Sequence, residues 1–295
     1  MTNCLTEKVI IISCVIFKTL SNMKALCSFL FVISVLVACK KEANKEESSL
    51  SYSCISFNGN FVPNNKDTVN FLIDSTTYSG MVLGSDKGTT WDFSKLTQVD
   101  SFDIPFIGVS LLPNASDFPD ADVAGEFTFF KKNANGLAVL SVETGVEGLD
   151  FVLKLDETYN LFDYPLEYQD EFSDEFSLSQ TEKWVTFEYE GETENFDSIT
   201  FNRHGKISKT VEGCGKLVTP NGTFDVLRVY KEETITDNII GYKFVGLFSV
   251  ELPIVNSKET YYSYEFYTDS AYSVYPIVKT NLNANKEIQE VIYLK

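Results

Sequence analysis

The first residue whose setting suggests chemistry is Cys39, a thiol that closes an apolar run. Leu36-Val37-Ala38-Cys39 ends the stretch Ala25–Ala38, which is made only of apolar and small residues and follows the charged Lys24. That length suits the apolar region of a signal peptide and is short for a bilayer span. Small residues before the cysteine let a peptidase approach the backbone, and the thiol would accept a diacylglycerol before cleavage. Residues 23–38 therefore read as a lipoprotein signal peptide, and residues 1–38 as the leader. Met23 is the expected start, because Val9–Phe17 and Lys18 would otherwise precede the basic region. The competing reading is a secretory signal with an incidental cysteine. Palmitate-type acyl chains contribute about 0.8 kcal/mol per buried CH₂, and stable anchoring needs more than one chain.

Cys4, Cys14 and Cys27 leave with the leader, so Cys54 and Cys214 remain beside the lipidated Cys39. In an oxidising exported compartment they are candidates for one disulfide, with two unpaired buried thiols as the alternative. Other chemistry is sparse. The single histidine, His204, sits in a predicted hairpin tip, where a Ser-His-Asp or Cys-His arrangement has no second candidate for its base. One His and two distant cysteines do not make a zinc site. The acidic segments Asp117–Asp122 and Asp170–Glu175 offer oxygen ligands to Ca²⁺, but neither has the spaced EF-hand pattern, so solvated acidic loops are expected. No cofactor, metal or catalytic residue is assigned.

Removing the leader takes Lys8, Lys18 and Lys24 but only Glu7, which leaves 21 basic against 41 acidic residues, a net charge of −20. Such a chain does not bind nucleic acid, which is recognised by clustered Lys and Arg. Residues 39–50 continue as a polar lipidated tether, Lys40 to Leu50, with a Lys-then-Glu pattern resembling surface-export signals of Bacteroidetes-type lipoproteins. Lys40 follows Cys39 directly, without the Asp that retains lipoproteins in the inner membrane. The expected address is the outer membrane, lipid-anchored and open to the cell surface.

From residue 51 onward, short runs rich in Val, Ile, Thr, Phe and Tyr recur between Gly, Asn, Asp and Pro clusters, and helical periodicity is almost absent. The expected fold is all-β: an antiparallel β-sandwich or a curved sheet or half-barrel. Val185, Phe187 and Tyr189 alternate with polar residues, as do Tyr262, Tyr264 and Phe266 with Ser263 and Glu265, the period-2 pattern of half-buried strands. Further strands are expected at 68–73, 126–130, 137–142, 149–155, 198–202, 206–212, 223–231, 241–248, 272–279 and 288–294. Asn202–Gly205 and Pro220–Gly222 read as hairpin connections. Gly84–Ala124 reads as a long irregular stretch. A boundary near Asp156 divides an N-terminal β-rich half, 51–155, from a C-terminal meander, 156–295, with one continuous β structure as the alternative.

Three stretches resemble a family of exported Bacteroidetes proteins of uncharacterised function. Thr90-Trp91-Asp92-Phe93-Ser94 is similar to its T-W-D-F-S signature, and Gly213–Arg228 to its G-x-G-x-L-x-T-P-x-G-T-F-x-V-L-R segment. Tyr264–Tyr267 with Tyr275–Val278 resembles its Y-x-W-Y and P-V-L pair. The resemblance implies an exported β-rich body and no established reaction. Cys214 stands where the family pattern has an aromatic residue, a departure that favours pairing with Cys54. A looser similarity is to curved half-barrel lipoproteins that hold lipids.

The expected function is non-enzymatic: an exported lipoprotein with a binding or surface-architectural role. Its partners are a membrane, through the lipid, and a glycan or protein ligand stacked on displayed aromatics such as those of Tyr261–Tyr267. One alternative is a carrier of a hydrophobic ligand, which requires a concavity lined by inward Phe, Leu and Val. Another is a glycan hydrolase with paired carboxylates.

Overall fold

A computed structural model describes residues 52–58, 66–84, 86–112, 115–125, 128–133, 136–146, 149–189, 192–269 and 275–295. The leader, Cys39 and the tether lie outside these residues. Ser51–Lys295 make one compact unit.

Thirteen strands are described, with two single-turn 3₁₀ segments between β3 and β4. In chain order they are β1 (Thr68–Asp74), β2 (Thr89–Asp92), β3 (Asp100–Ile107), β4 (Val123–Gly125), β5 (Thr128–Lys132), β6 (Gly136–Val146) and β7 (Leu149–Asp163). The longest come next: β8 (Glu171–Tyr189), β9 (Glu192–Thr219), β10 (Gly222–Val245) and β11 (Phe248–Tyr267), followed by the short β12 (Val278–Leu282) and β13 (Ile288–Leu294).

All belong to one 13-stranded sheet in the order β10-β11-β12-β13-β1-β3-β4-β5-β6-β7-β8-β9-β2, and β9 also pairs with β10. The hydrogen-bonded circuit therefore closes on itself through every strand but β2. That strand lies parallel beside β9, with Thr90 opposite Lys216. Closure of this kind removes the exposed edges that invite aggregation.

Several expected breaks are absent. Asn202–Gly205 is not a turn; it lies in the middle of β9, where His204 faces Ser177 of β8 and Thr236 of β10. Glycine is needed there for closeness and not for a turn, since a Cβ at Gly205 would come within 2.1 Å of the Phe176 ring. The expected strands at 198–202 and 206–212 are thus one strand. Those at 223–231 and 241–248 are joined through Glu232–Ile240, so that the second stops in a turn at Gly246. Pro253 is accommodated in β11 beside the register shift at Ile239/Ile240, the usual setting for a proline inside a sheet. The turn at Pro220-Asn221 does connect β9 to β10, with Gly222 opposite Thr219.

The stretch 84–124 contains β2, β3 and β4, which its polar, proline-bearing sequence concealed. Asp156 falls inside β7, a strand paired to β6 on one side and β8 on the other, so no connector separates two halves there. Of the strand expected at 272–279, residues 272–274 lie outside the described residues, and β12 begins at Val278.

The main core lies within the circuit and includes Phe71, Phe106, Phe130, Phe176, Phe196 and Phe201. A second core lies on the other face of β11 to β13, covered by the segment that carries Tyr78, Trp91, Phe93 and Leu96. Both faces of the end of β11 are therefore buried. Ser263 and Glu265, expected on a solvent face opposite Tyr264 and Phe266, are 5% and 6% exposed.

Candidate functional site

Residues from the three motif stretches, Trp91, Arg228 and Tyr264 among them, meet in the second core. Trp91 Nε1 donates to the Gly84 carbonyl at 2.9 Å. Arg228, fully buried, donates to the same carbonyl and, at 3.4 Å, to that of Leu83, and it pairs with Glu212 at 2.9 Å. Its guanidinium lies 4.3 Å from the Tyr264 ring centroid and 5.4 Å from that of Trp91. Trp91 and Phe93 both pack edge-on against Phe266. Gly215 admits the β2 backbone, because a Cβ there would meet the Thr89 carbonyl oxygen at 1.9 Å. The constellation fastens β2 and the loop before it to β9 and β10. Apart from Arg228 Nε, its polar groups are engaged in that task, which makes it a structural lock.

Cys54 and Cys214 are joined, with Cα atoms 5.6 Å apart. The bond pins the first described residues against β9, and Phe57 pairs in turn with Leu166 through two backbone hydrogen bonds.

The expected ligand residues are scattered. His204 is an exposed strand residue 3.6 Å from Glu175. Asp122 and Asp174 accept backbone hydrogen bonds from Lys132 and Asn160, while Asp120 pairs with Lys131. Of the tyrosines and phenylalanine expected as a display surface, Tyr264, Phe266 and Tyr267 are buried and Tyr261 is half exposed.

What the sequence reading missed is an ionic cluster on the inner face of β9 to β12. Lys209 and Lys231 are direct cross-strand partners. Glu265 and Lys279 are partners across β11 and β12. Glu233 follows Lys231 on the same face and binds its ammonium at 2.7 Å. Lys209 donates to the Leu161 carbonyl at 2.6 Å and sits 3.9 Å from the Phe162 ring centroid. Tyr267 donates its hydroxyl to Glu265 at 2.8 Å. Among the described residues, Lys209 and Lys279 have no carboxylate within ion-pair distance.

Enclosure and charge set the protonation behaviour. Burial pushes Lys209 down to about 8, with Glu265 opposing it. Burial also lowers Lys279. It works in the same direction on Lys231, but Glu233 and Glu265 outweigh it and hold that ammonium above the ordinary lysine range. Burial would raise Glu265, yet Lys231, Lys209 and Lys279 keep its carboxyl below its usual range. Tyr159, reaching in from β7, is pushed up to about 12 by burial.

The cluster is enclosed but not dry. Along the inner face of β10, Val229 and Ile239 are buried, whereas Lys231, Glu233 and Asp237 between them keep 17 to 19% of their side-chain exposure. Six residues of strand make this partly open row about 20 Å long. Asp237 at its far end is held by Arg203 through two hydrogen bonds of 2.6 and 2.8 Å. Around it Tyr159, Leu161, Ile254, Val255, Ile292 and Leu294 are half-buried and pack against the main core. The one polar side-chain atom among the described residues that is both sealed from water and unbonded is Arg228 Nε. The Lys279 ammonium and the Tyr159 hydroxyl, which have no hydrogen-bond partner among the described residues, therefore face space a water molecule can reach.

A signal for the cluster was present in the sequence: Lys209 stands between Ile207 and Val211 at the period of a strand, and Glu265 between Tyr264 and Phe266. Which face was interior depended on the circuit closing, which no local pattern records. No family model, curated protein or solved structure matches the chain.

Proposed function

We propose that this chain is the body of an exported, lipid-anchored binding protein that holds its ligand on the inner face of the closed sheet and performs no catalysis. The observation that carries this reading is the row of charged side chains, partly open to water, inside an otherwise aromatic and aliphatic interior. Charges in an interior cost several kcal/mol each unless paired and hydrogen-bonded. A protein selected for stability alone would place Val or Ile at Lys209 and Lys279. Anchoring through Cys39 would keep the body at a membrane surface, where an apolar or amphiphilic ligand is encountered.

Two measurements test the proposal. Labelling with a radioactive fatty acid should mark the chain and be abolished by Cys39→Ala; an unlabelled chain would remove the anchor. Native mass spectrometry of chain isolated from its own envelope should show a stoichiometric small-molecule adduct, and a bare mass throughout would count against the binding role.

A further inference from the structure

Resting on that reading of the inner face, we propose that Lys209, Lys231 and Lys279 form the head-group site for a ligand bearing one carboxylate or phosphate on an apolar body, which lies along β10 toward Ile235. Three enclosed ammonium groups here face two enclosed carboxylates, Glu233 and Glu265. Glu233 is committed to Lys231. Glu265 accepts from Tyr267 and is shared electrostatically among all three lysines, with no ion pair under 4 Å to Lys209 or Lys279 among the described residues. At the margin Glu290 accepts from Asn281 and acts electrostatically on Lys279, and Asp174 accepts from the Asn160 and Glu175 amides; neither forms an ion pair with a lysine of the cluster among the described residues.

An anion reaching this partly open row would gain charge-assisted hydrogen bonds from Lys279 and, by a small rotamer change, from Lys209, with the Tyr159 hydroxyl as a neutral third donor. The rest of the ligand must be apolar, because the half-buried side chains that pack against the main core beside the lysines are Tyr159, Leu161, Ile292 and Leu294. The Arg203–Asp237 pair limits the body to about 20 Å of strand length. A doubly charged or strongly polar ligand would leave polar groups unpaired against those side chains.

The test is equilibrium dialysis of the full chain, carrying Cys39→Ser so that it has no lipid of its own, against radiolabelled dodecanoate, dodecanol and inorganic phosphate. Dodecanoate should bind saturably at one per chain and at least tenfold more tightly than dodecanol. Lys279→Met should remove that tenfold preference without changing dodecanol binding, and Lys279→Arg should restore most of it. Equal affinity for dodecanoate and dodecanol would overturn the head-group site while leaving the binding role intact. Phosphate binding as tightly as dodecanoate would overturn the amphiphile and leave a free-anion site. If none of the three binds, the interior binding role itself falls.

Discussion

Lys209 and Lys231 stand directly opposite each other in the β9–β10 ladder, two ammonium groups leaving the same enclosed face at neighbouring positions. Like charges opposite one another destabilise a sheet. The pair is tolerated because Glu265 lies within electrostatic reach of both and of Lys279. Glu265→Gln should therefore cost about 3 to 5 kcal/mol, the usual effect of stripping one partner from a buried charge group. Adding Lys279→Met should return part of that loss, so that the two substitutions couple by more than about 1 kcal/mol in a double-mutant cycle read by urea denaturation. Strict additivity would mean that Glu265 does not act on Lys279.

The depressed Lys209 ammonium makes stability rise with pH over a defined window. Below pH 8 the group is charged in both states and its burial penalty is present in full. Between pH 8 and 10.5 the folded chain has released a proton that the unfolded chain retains. The unfolded state then binds more protons, so stability increases, on the order of 2 kcal/mol from pH 8 to 10. Above pH 10 Tyr159, held up to about 12, works in the opposite direction. The groups facing Lys209 are Lys231 and Glu233 from β10, Glu265 from β11 and Lys279 from β12. Lys209→Met should flatten this part of the profile; an unchanged slope would assign it to another group.

Arg228 gives a prediction about the lock. Its guanidinium holds the Leu83 and Gly84 carbonyls and Glu212 and stacks between Trp91 and Tyr264, all in a fully buried setting. Arg228→Lys keeps the charge but loses the planar fork and the stacking. It should destabilise by about 2 to 4 kcal/mol, with faster amide exchange confined first to Thr89–Asp92. Trp91→Phe should cost less, about 1 to 2 kcal/mol, because it removes one hydrogen bond while keeping most of the ring contact. Exchange that accelerates uniformly over the body would show that β2 is not separately fastened.

The sequence made the strands legible where one face is apolar and the other polar, and so β1, β6 and β13 fall close to their expected places. It failed where a strand is long enough to cross several environments. In β9 the run Asn202-Arg203-His204-Gly205 has the composition of a turn, yet its polar groups bond across both neighbouring strands and its glycine makes room for Phe176. Residues 232–240 of β10 were hidden for a related reason: Glu233 and Asp237 point inward, where alternation predicts apolar side chains. The motif residues Trp91, Arg228 and Phe266 were visible as a pattern, but their convergence depends on β2 returning beside β9 across more than a hundred residues. The ionic cluster was hardest to read, because its five charged members come from four strands and each taken alone resembles a surface residue.

The bond between Cys54 and Cys214 spans 160 residues of sequence. A loop of that size corresponds to about 4 to 5 kcal/mol in the chain-entropy treatment, an upper value because denatured chains keep some structure. Intact mass after alkylation should show two blocked thiols only when the protein is reduced first; blocked thiols without reduction would show that the cysteines are not paired. Cys54→Ser and Cys214→Ser should each lower stability, but unequally. Cys214 is fully buried between β2 and β10 in the small third core, so a hydroxyl there also loses packing, whereas Cys54 is only half-buried. If the entropy of the loop is the whole effect, the two serine variants will be equally unstable. A larger loss at Cys214 would show that the core around Leu227, Val229 and Tyr267 relies on that sulfur as packing as well as on the bond.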